Sequence, residues 1–176
     1  MATISSLEEI YVAQLRELFS AETQSVPALI MLLDATTDPE LADVFRGHCV
    51  ETLGHAEHLE RLLAEIGHGA RGVDCETIGA LVRDVQRAAG NQDPSVARDL
   101  TLIEAAQRIE HYEMACYGSV RTYATVLDRN EAAASLQKIL DQESQAEWRL
   151  AGVAKRLNAE LPDNPPVIAA FQERNP

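Results

Sequence analysis

Seven acidic or imidazole side chains lie on or beside the apolar faces of four amphipathic segments in this chain. They are Glu22, Glu51, His55, Glu110, Glu113, Glu143 and Glu147. Residues spaced by three and four share one helical face, and that face must be buried. A buried carboxylate is costly without a cation, so these residues require positively charged partners. Glu and His that project inward from four helices at one depth are typical ligands of a metal centre.

The number of carboxylates indicates two metal ions rather than one. Two neighbouring cations need bridging carboxylates to reduce their repulsion, and further carboxylate or imidazole ligands to complete each coordination shell. We expect Glu22 from the first segment and Glu110 from the third to be ligands. Glu113, one turn further on, is expected either to bind metal or to hydrogen-bond a ligand. The expected ions are divalent, iron first, with manganese as the alternative.

The second and fourth segments each offer a pair of ligands with the same spacing. Glu51 and His55 are four residues apart, as are Glu143 and Glu147, so both members of each pair point the same way on a helix. Di-iron carboxylate proteins usually space Glu and His three residues apart on two helices. The departure, and the lack of a His in the fourth segment, predict a centre richer in carboxylate and poorer in nitrogen.

Other polar and aromatic residues near these segments are expected to play lesser parts. His48, one turn before Glu51, is expected to hydrogen-bond a ligand rather than bind metal. Tyr117 is expected to be a core aromatic with its hydroxyl near the site, and Trp148 to be an ordinary packing residue. Surface positions are expected for three histidines: His58, His68 and His111.

Capping residues and helix breakers divide the chain into four long helices and one short one. The first begins after Ser5 or Ser6, where Ser6 and Glu9 form a capping-box pattern, and runs to about residue 34. Pro39 follows a capping Asp38 and opens the second, which runs to about residue 66. The third spans about 94–127, the fourth about 130–159, and a short helix about 76–89 lies between the second and third.

The long connection at residues 68–93 determines the predicted topology. A connection of this length suits an up-down-down-up bundle, in which two helical hairpins are joined by one crossover. We therefore predict an all-α, ferritin-like four-helix bundle with a long crossover that contains a short extra helix. The domain is predicted to span residues 1–160, followed by an extended proline-rich tail at 161–176.

Composition excludes several classes of function. A net charge of −13 argues against a nucleic-acid partner, which would require clustered Lys and Arg. No apolar run approaches the roughly 20 residues of a membrane helix, and no secretion signal is seen at the N-terminus. The three cysteines lack CxxC spacing and suit reduced thiols. We expect a cytoplasmic protein of one domain.

Several phrases in the chain resemble a known family, the YciF-like or DUF892 family of bacterial ferritin-like proteins. IEHYEMACYG at 109–118 is similar to VEHYEIAGYG in the third helix of that family. FRGHCVETLGHAEHLERL at 45–62 resembles its H-x-x-E-T segment, and 21–24 and 97–99 match its A-E-x-Q and R-D phrases. Residues 141–150 resemble its acidic fourth helix, although the family often has Asp where Glu147 stands. The resemblance implies a di-metal bundle, usually dimeric, associated with bacterial stress responses.

Two hypotheses about function remain at this point. In the first, the protein is a di-iron or di-manganese oxidoreductase, ferroxidase- or peroxidase-like, that reacts with oxygen or peroxide. In the second, it is a non-enzymatic metal-binding or structural protein of the stress response. We expect a homodimer rather than a storage cage, because a cage subunit normally has a further helix where this chain has a proline-rich tail.

Overall fold

The computed structural model describes residues 6–90 and 93–161, and five helices lie within them. They are α1 (Leu7–Ala35), α2 (Pro39–Glu65), α3 (Glu76–Gly90), α4 (Val96–Val126) and α5 (Asn130–Glu160). No strand occurs in these residues. The predicted four long helices and short extra helix are confirmed, with ends that differ by one or two residues. The predicted tail, beyond residue 161, falls outside the described residues.

Side-chain caps begin α1 and α2 where the sequence predicts. The backbone amide of Glu9 donates to the Ser6 hydroxyl, and the Glu9 carboxylate accepts from the Ser6 amide, which completes the capping box. Asp38 accepts from the amide of Leu41, and Pro39 occupies the start of α2. Both caps satisfy amides that would otherwise lack partners within the helix.

The long helices pair as two hairpins. Helix α1 packs on α2 and α4 packs on α5, while α1 also contacts α4 and α2 contacts α5. The order around the bundle is therefore α1, α2, α5, α4. The short α3 packs against α1 and α4, so it covers the opposite side of the bundle from α2 and α5. None of the described helices is long and apolar enough to cross a membrane.

Two apolar clusters fill the bundle, and a polar layer lies between them. One cluster includes Leu29, Phe45 and Leu150; the other includes residues such as Leu18 and Leu59. Along every long helix the chain passes from one cluster to the other through buried Glu or His. Apolar packing above and below thus isolates the polar layer from water, which strengthens every electrostatic interaction within it.

A buried carboxylate holds the start of α4 against the turn between α1 and α2. Asp99 is 2% exposed and accepts hydrogen bonds from the Thr36 hydroxyl at 2.7 Å and the Thr37 hydroxyl at 2.8 Å. It also accepts from the Thr37 amide at 3.1 Å. This contact ties the two hairpins together at one end of the bundle, and it explains the R-D phrase at 98–99 in structural terms.

Replacing this carboxylate should destabilise the bundle without affecting metal binding. Asp99→Ala leaves three donors with no acceptor, and we expect the free energy of unfolding to fall by about 3 kcal/mol. The measurement is urea denaturation followed by circular dichroism. Asp93→Ala, at an exposed position shortly before α4, is the control and should cost less than about 0.5 kcal/mol. Equal effects of the two substitutions on the free energy of unfolding would contradict the structural role assigned to Asp99.

Candidate metal centre

The polar layer contains two neighbouring groups of side chains that could hold metal ions. Each group brings its candidate ligand atoms within 4.8 Å of one another. One group contains His48, Glu110, Glu113 and Glu143, and the other contains Glu22, His55 and Glu143. All six residues are buried, and they come from all four long helices. Glu143 belongs to both groups, which is the arrangement expected of a carboxylate between two ions.

The carboxylate of Glu143 directs one oxygen toward each group. Its Oε1 lies 2.8 Å from Nδ1 of His55, and its Oε2 lies 3.5 Å from Nε2 of His48. The same His48 nitrogen lies 3.0 Å from Oε1 of Glu110. On the other side, Nδ1 of His55 lies 3.6 Å from Oε1 of Glu22. Each imidazole thus faces carboxylates from two other helices.

Hydroxyl groups support two of the buried carboxylates. The Tyr117 hydroxyl donates a short hydrogen bond to Oε1 of Glu22, so the phenol lies near the site as predicted. The Ser25 hydroxyl donates to Oε1 of Glu113 at 2.9 Å. In both residues this leaves the second oxygen, Oε2, free of a hydrogen-bond donor. Each carboxylate is therefore oriented through one oxygen and available through the other.

Several buried atoms in the layer lack the partners that burial demands. Six carboxylate oxygens accept no aligned hydrogen bond from the described residues: Oε2 of Glu22 and Glu113, and both oxygens of Glu110 and Glu143. Nδ1 of His55 and the hydroxyl of Thr52 lack one as well. Native interiors leave few polar groups in this state, since each costs about 1–3 kcal/mol. Bound cations would satisfy the carboxylates and the imidazole together.

The charges of the layer fit two divalent ions. Four carboxylates carry four negative charges, and two neutral imidazoles add nitrogen ligands without charge. Two divalent cations would balance that charge. Four carboxylates and two imidazoles are also the donor set of the ferritin-like di-iron proteins, although those proteins draw their imidazoles from two helices and this chain draws both from α2. The layer therefore offers two imidazole ligands, where the sequence predicted one.

Without metal, the layer holds protons tightly. Burial raises the pKa values of Glu22, Glu113 and Glu143, and the neighbouring carboxylates raise them further. Burial alone would lower the pKa of each imidazole, but the adjacent carboxylates outweigh it. Glu110 holds the pKa of His48 well above its usual value, and Glu143 and Glu22 raise the pKa of His55 to about 10. Metal ions would displace these protons.

The structure brings five of the seven predicted ligands together. Glu22, His55, Glu110, Glu113 and Glu143 belong to the two groups. The structure does not bring Glu51 or Glu147 into either group. The side chain of Glu51 is 27% exposed, and its carboxylate accepts from Arg149 at 2.9 Å. The carboxylate of the half-buried Glu147 accepts from Gln107 at 3.2 Å.

In the group with Glu110, Glu113 and Glu143, His48 occupies the position that the sequence predicted for Glu51. At about 100° per residue, His48 and His55 lie about 20° apart around α2, whereas Glu51 lies about 60° from His48. Both histidines therefore face the bundle axis, and Glu51 turns toward α5. His48 falls in the apolar repeat of α2 and Glu51 falls beside it, but the two differ by less than one residue's step around the helix, so the repeat by itself did not choose between them.

Four of the lesser predictions concern residues outside the layer. His68 and His111 are exposed, as expected. His58 is half-buried, and its Nε2 donates to the Ser135 hydroxyl at 2.8 Å. The packing role expected of Trp148 is wrong for the single chain, since this side chain is 76% exposed on α5.

A groove of about 500 Å³ between α2 and α5 leads from the surface to the layer. Its lining includes the buried His55 and four exposed residues: Gly54, Arg61, Lys138 and Gln142. A Cβ atom added at Gly54 would meet nothing within 4 Å, so this wall is open. The groove ends beside the buried imidazole of His55.

The chain is similar to proteins from several bacteria. It is 30% identical to Protein YciF of Escherichia coli strain K12 over 152 residues, which cover 86% of this chain and 92% of that protein. The solved structure of this E. coli stress protein matches with a TM-score of 0.86 and 28% identity, over 90% of this chain and 100% of that chain. YcfI of Rhodopseudomonas palustris matches with a TM-score of 0.81 and 27% identity, over 85% and 96%.

A more distant structure relates the fold to metal-binding bundles. A ferritin-like, diiron-carboxylate protein from Bacillus anthracis matches with a TM-score of 0.68 over 86% of this chain and 99% of that chain. At 14% identity the likeness shows the fold alone, and the predicted ferritin-like fold is thereby confirmed. The family described as Domain of unknown function (DUF892) matches residues 6–161, nearly the whole chain. The chain therefore belongs to the DUF892 family.

Proposed function

We propose that this protein is a di-metal carboxylate protein of the bacterial stress response, which binds two iron ions and reacts with oxygen or peroxide. One observation carries the proposal: two groups of buried ligands share Glu143 and leave six carboxylate oxygens without an aligned hydrogen bond. Similarity to the E. coli stress protein YciF supports the link to stress. Manganese fits the same ligands and is the alternative metal.

The residues of the polar layer would have different roles around the metal ions. When bound, the metal pair would supply redox chemistry and open positions for an oxidant. Glu143 would contribute to both metal positions, while Glu22 and His55 would hold one ion and His48, Glu110 and Glu113 the other. The two apolar clusters exclude bulk water from the two ends of the layer. The Tyr117 hydroxyl would hold Oε1 of Glu22 in place beside the metal positions.

Anaerobic loading with Fe(II) tests this function. The metal-free protein should bind two Fe(II) per chain, and exposure to air should then consume oxygen as near-ultraviolet absorbance from ferric iron rises. Hydrogen peroxide replaces air in a second arm, and Mn(II) replaces Fe(II) in a third. His68→Ala, which changes an exposed histidine, is the control and should behave as the wild type.

Each outcome distinguishes the two hypotheses. Fast, repeated consumption of oxidant supports an oxidoreductase. Two bound ions that oxidise slowly, without turnover, would contradict the proposed reaction and favour a non-enzymatic metal-binding protein. A chain that binds neither Fe(II) nor Mn(II) would contradict both.

We also propose that two copies of the chain associate through the outer side of α2 and α5. Large hydrophobic side chains are exposed on these two helices: Trp148 at 76%, Val50 at 68% and Leu53 at 49%. Helices α2 and α5 contact each other, and α3 covers the opposite side of the bundle. Burial of such side chains against a second copy would remove them from water.

Light scattering should therefore give the mass of a dimer, and Trp148→Glu should give a monomer. The control is Val126→Glu, which adds the same charge at an exposed position at the end of α4 and should leave the dimer intact. A wild-type monomer would contradict the dimer, and a particle of 12 or 24 chains would make iron storage the leading function.

A further inference from the structure

We propose that Glu51 and Gln142 are positioning residues that make the two metal positions unequal, so that the position beside His48 binds metal first. The inference rests on the proposed two-metal site. It assigns a role to two side chains outside both ligand groups. Each contacts the ring nitrogen of a histidine that faces away from the polar layer. Glu51 is an anion, whereas Gln142 is neutral.

On one side, His48 contacts the ion pair of Glu51 and Arg149. Nε2 of His48 faces Glu110 and Glu143, while Nδ1 lies 3.3 Å from Oε2 of Glu51. The guanidinium of Arg149 donates to that same oxygen at 2.9 Å. A carboxylate can only accept here, so Nδ1 must carry the hydrogen. This bond leaves the Nε2 lone pair free to bind a metal in the layer.

On the other side, an amide stands behind His55. Nδ1 of His55 faces Glu143 and Glu22, and Nε2 lies 3.1 Å from Oε1 of Gln142. With its oxygen toward the ring, the amide accepts the Nε2 hydrogen and leaves the Nδ1 lone pair for a metal. Gln142 therefore orients His55 as Glu51 orients His48. It adds no negative charge.

The difference in charge behind the imidazoles should appear as a difference in affinity. A carboxylate behind a metal-binding imidazole makes the ring a stronger donor, and partners of this kind are worth about 10- to 100-fold in metal affinity. A neutral amide contributes less, because its attraction for a partly positive imidazole is weaker. The direct ligands act in the same direction, since three carboxylates accompany His48 and two accompany His55. Both effects place the first metal beside His48.

Anaerobic titration of the full-length metal-free protein with Co(II) tests the inference without reference to activity. Calorimetry gives the affinity of each step, and visible absorbance reports the coordination of each ion. We expect two steps in the wild type that differ by 10-fold or more. Glu51→Gln should weaken the first step by about 10- to 100-fold and keep two ions per chain. Gln142→Glu should strengthen the second step.

Two matched controls separate positioning from changes in overall charge. Glu57→Gln removes an exposed carboxylate from α2, and Gln145→Glu adds one to α5. Both should leave the two affinities within about 2-fold of the wild type, because exposed charges are screened by salt. Neither residue lies in the two ligand groups.

Several titration results would overturn the inference that the position beside His48 binds metal first. A first step that Glu51→Gln leaves unchanged would overturn it. A fall to one ion per chain in that variant would also overturn it, since Glu51 would then be a ligand. A wild type that binds two ions in equal steps would refute the inference while the proposed function survives, whereas a wild type that binds no metal, Fe(II) and Mn(II) included, would refute both.

Discussion

Glu143→Ala should abolish tight binding of both metal ions. This residue is the one that the two ligand groups share, and its two oxygens point to different imidazoles, at 2.8 Å from His55 and 3.5 Å from His48. Removing the carboxylate takes one ligand from each ion and restores the repulsion between them. We expect both affinities to fall by more than about 100-fold, since even partners outside the ligand set are worth about 10- to 100-fold.

Loss of metal should also lower thermal stability. A ligand that binds only the folded state stabilises it by about 2.7 kcal/mol for each site when its concentration is 100 times Kd. For a domain of this size that corresponds to about 5–10 °C in Tm for each ion. Added Fe(II) or Mn(II) should therefore raise the Tm of the metal-free wild type and leave that of Glu143→Ala unchanged. Glu110→Ala should show the same loss at the His48 position.

Glu147→Ala is the matched control for this experiment. It removes the same side chain from the same helix one turn away, at a half-buried position outside both ligand groups. It should retain two ions and the full rise in Tm. If Glu143→Ala still binds two ions tightly, the shared carboxylate is not a ligand and the proposed centre is wrong. Comparable losses in the two variants would restore Glu147 as a ligand.

The metal-free protein should lose stability as the pH rises. The pKa values of Glu22, Glu113 and Glu143 are raised from 4.5, and that of His55 is raised from 6.5 to about 10. Between the unfolded and the folded pKa of each group, the folded state binds more protons than the unfolded chain. Stability then falls with pH by about 1.4 kcal/mol per pH unit for each additional proton held.

The working range for this test is pH 6.5 to 8.5. Above pH 6.5 the unfolded imidazoles are mostly neutral, whereas the folded layer still holds protons on His48 and His55. The Tm of the metal-free protein should therefore decrease by about 10 °C or more across the range. With saturating Mn(II) the layer holds metal instead of protons, so Tm should remain nearly level.

Calorimetric melting of metal-free and Mn(II)-loaded protein at matched ionic strength gives the comparison. His58→Ala, which removes a histidine that lies outside the layer, should preserve the slope in both forms. A metal-free Tm that rises with pH would show that the layer is not protonated in the folded state. A metal-loaded protein with the metal-free slope would mean that the ions bind elsewhere.

Helix number and topology could be predicted because their signals are local. The Ser6 cap and the Asp38-Pro39 pair act on amides within one turn, and the apolar repeats identify the buried face of each helix. The long segment at 68–93 excluded a simple up-down connection. What these signals did not contain is the position of α3 against α1 and α4, since a short amphipathic helix can pack on any exposed apolar face.

The depth of the candidate centre could also be predicted from sequence. Each long helix has its Glu or His near the middle of an apolar repeat, so assembly in one layer follows from packing the repeats together. Burial then demands cations, whichever helix supplies each ligand. Glu22, Glu110, Glu113 and Glu143 meet in the structure for this reason.

Tertiary structure alone decided which side chain on α2 faces the layer and which stands behind it. His48 and Glu51 are three residues apart, and a rotation of α2 by about 60° would exchange them. That rotation is set by packing of Phe45 and Leu59 in the two apolar clusters and by Arg149 of α5, which pairs with Glu51. No local signal contains these contacts. The sequence determined a layer of buried carboxylates and imidazoles between apolar clusters, while the packing of α2 against α5 decided which imidazoles enter it, because only contacts between helices fix their rotation.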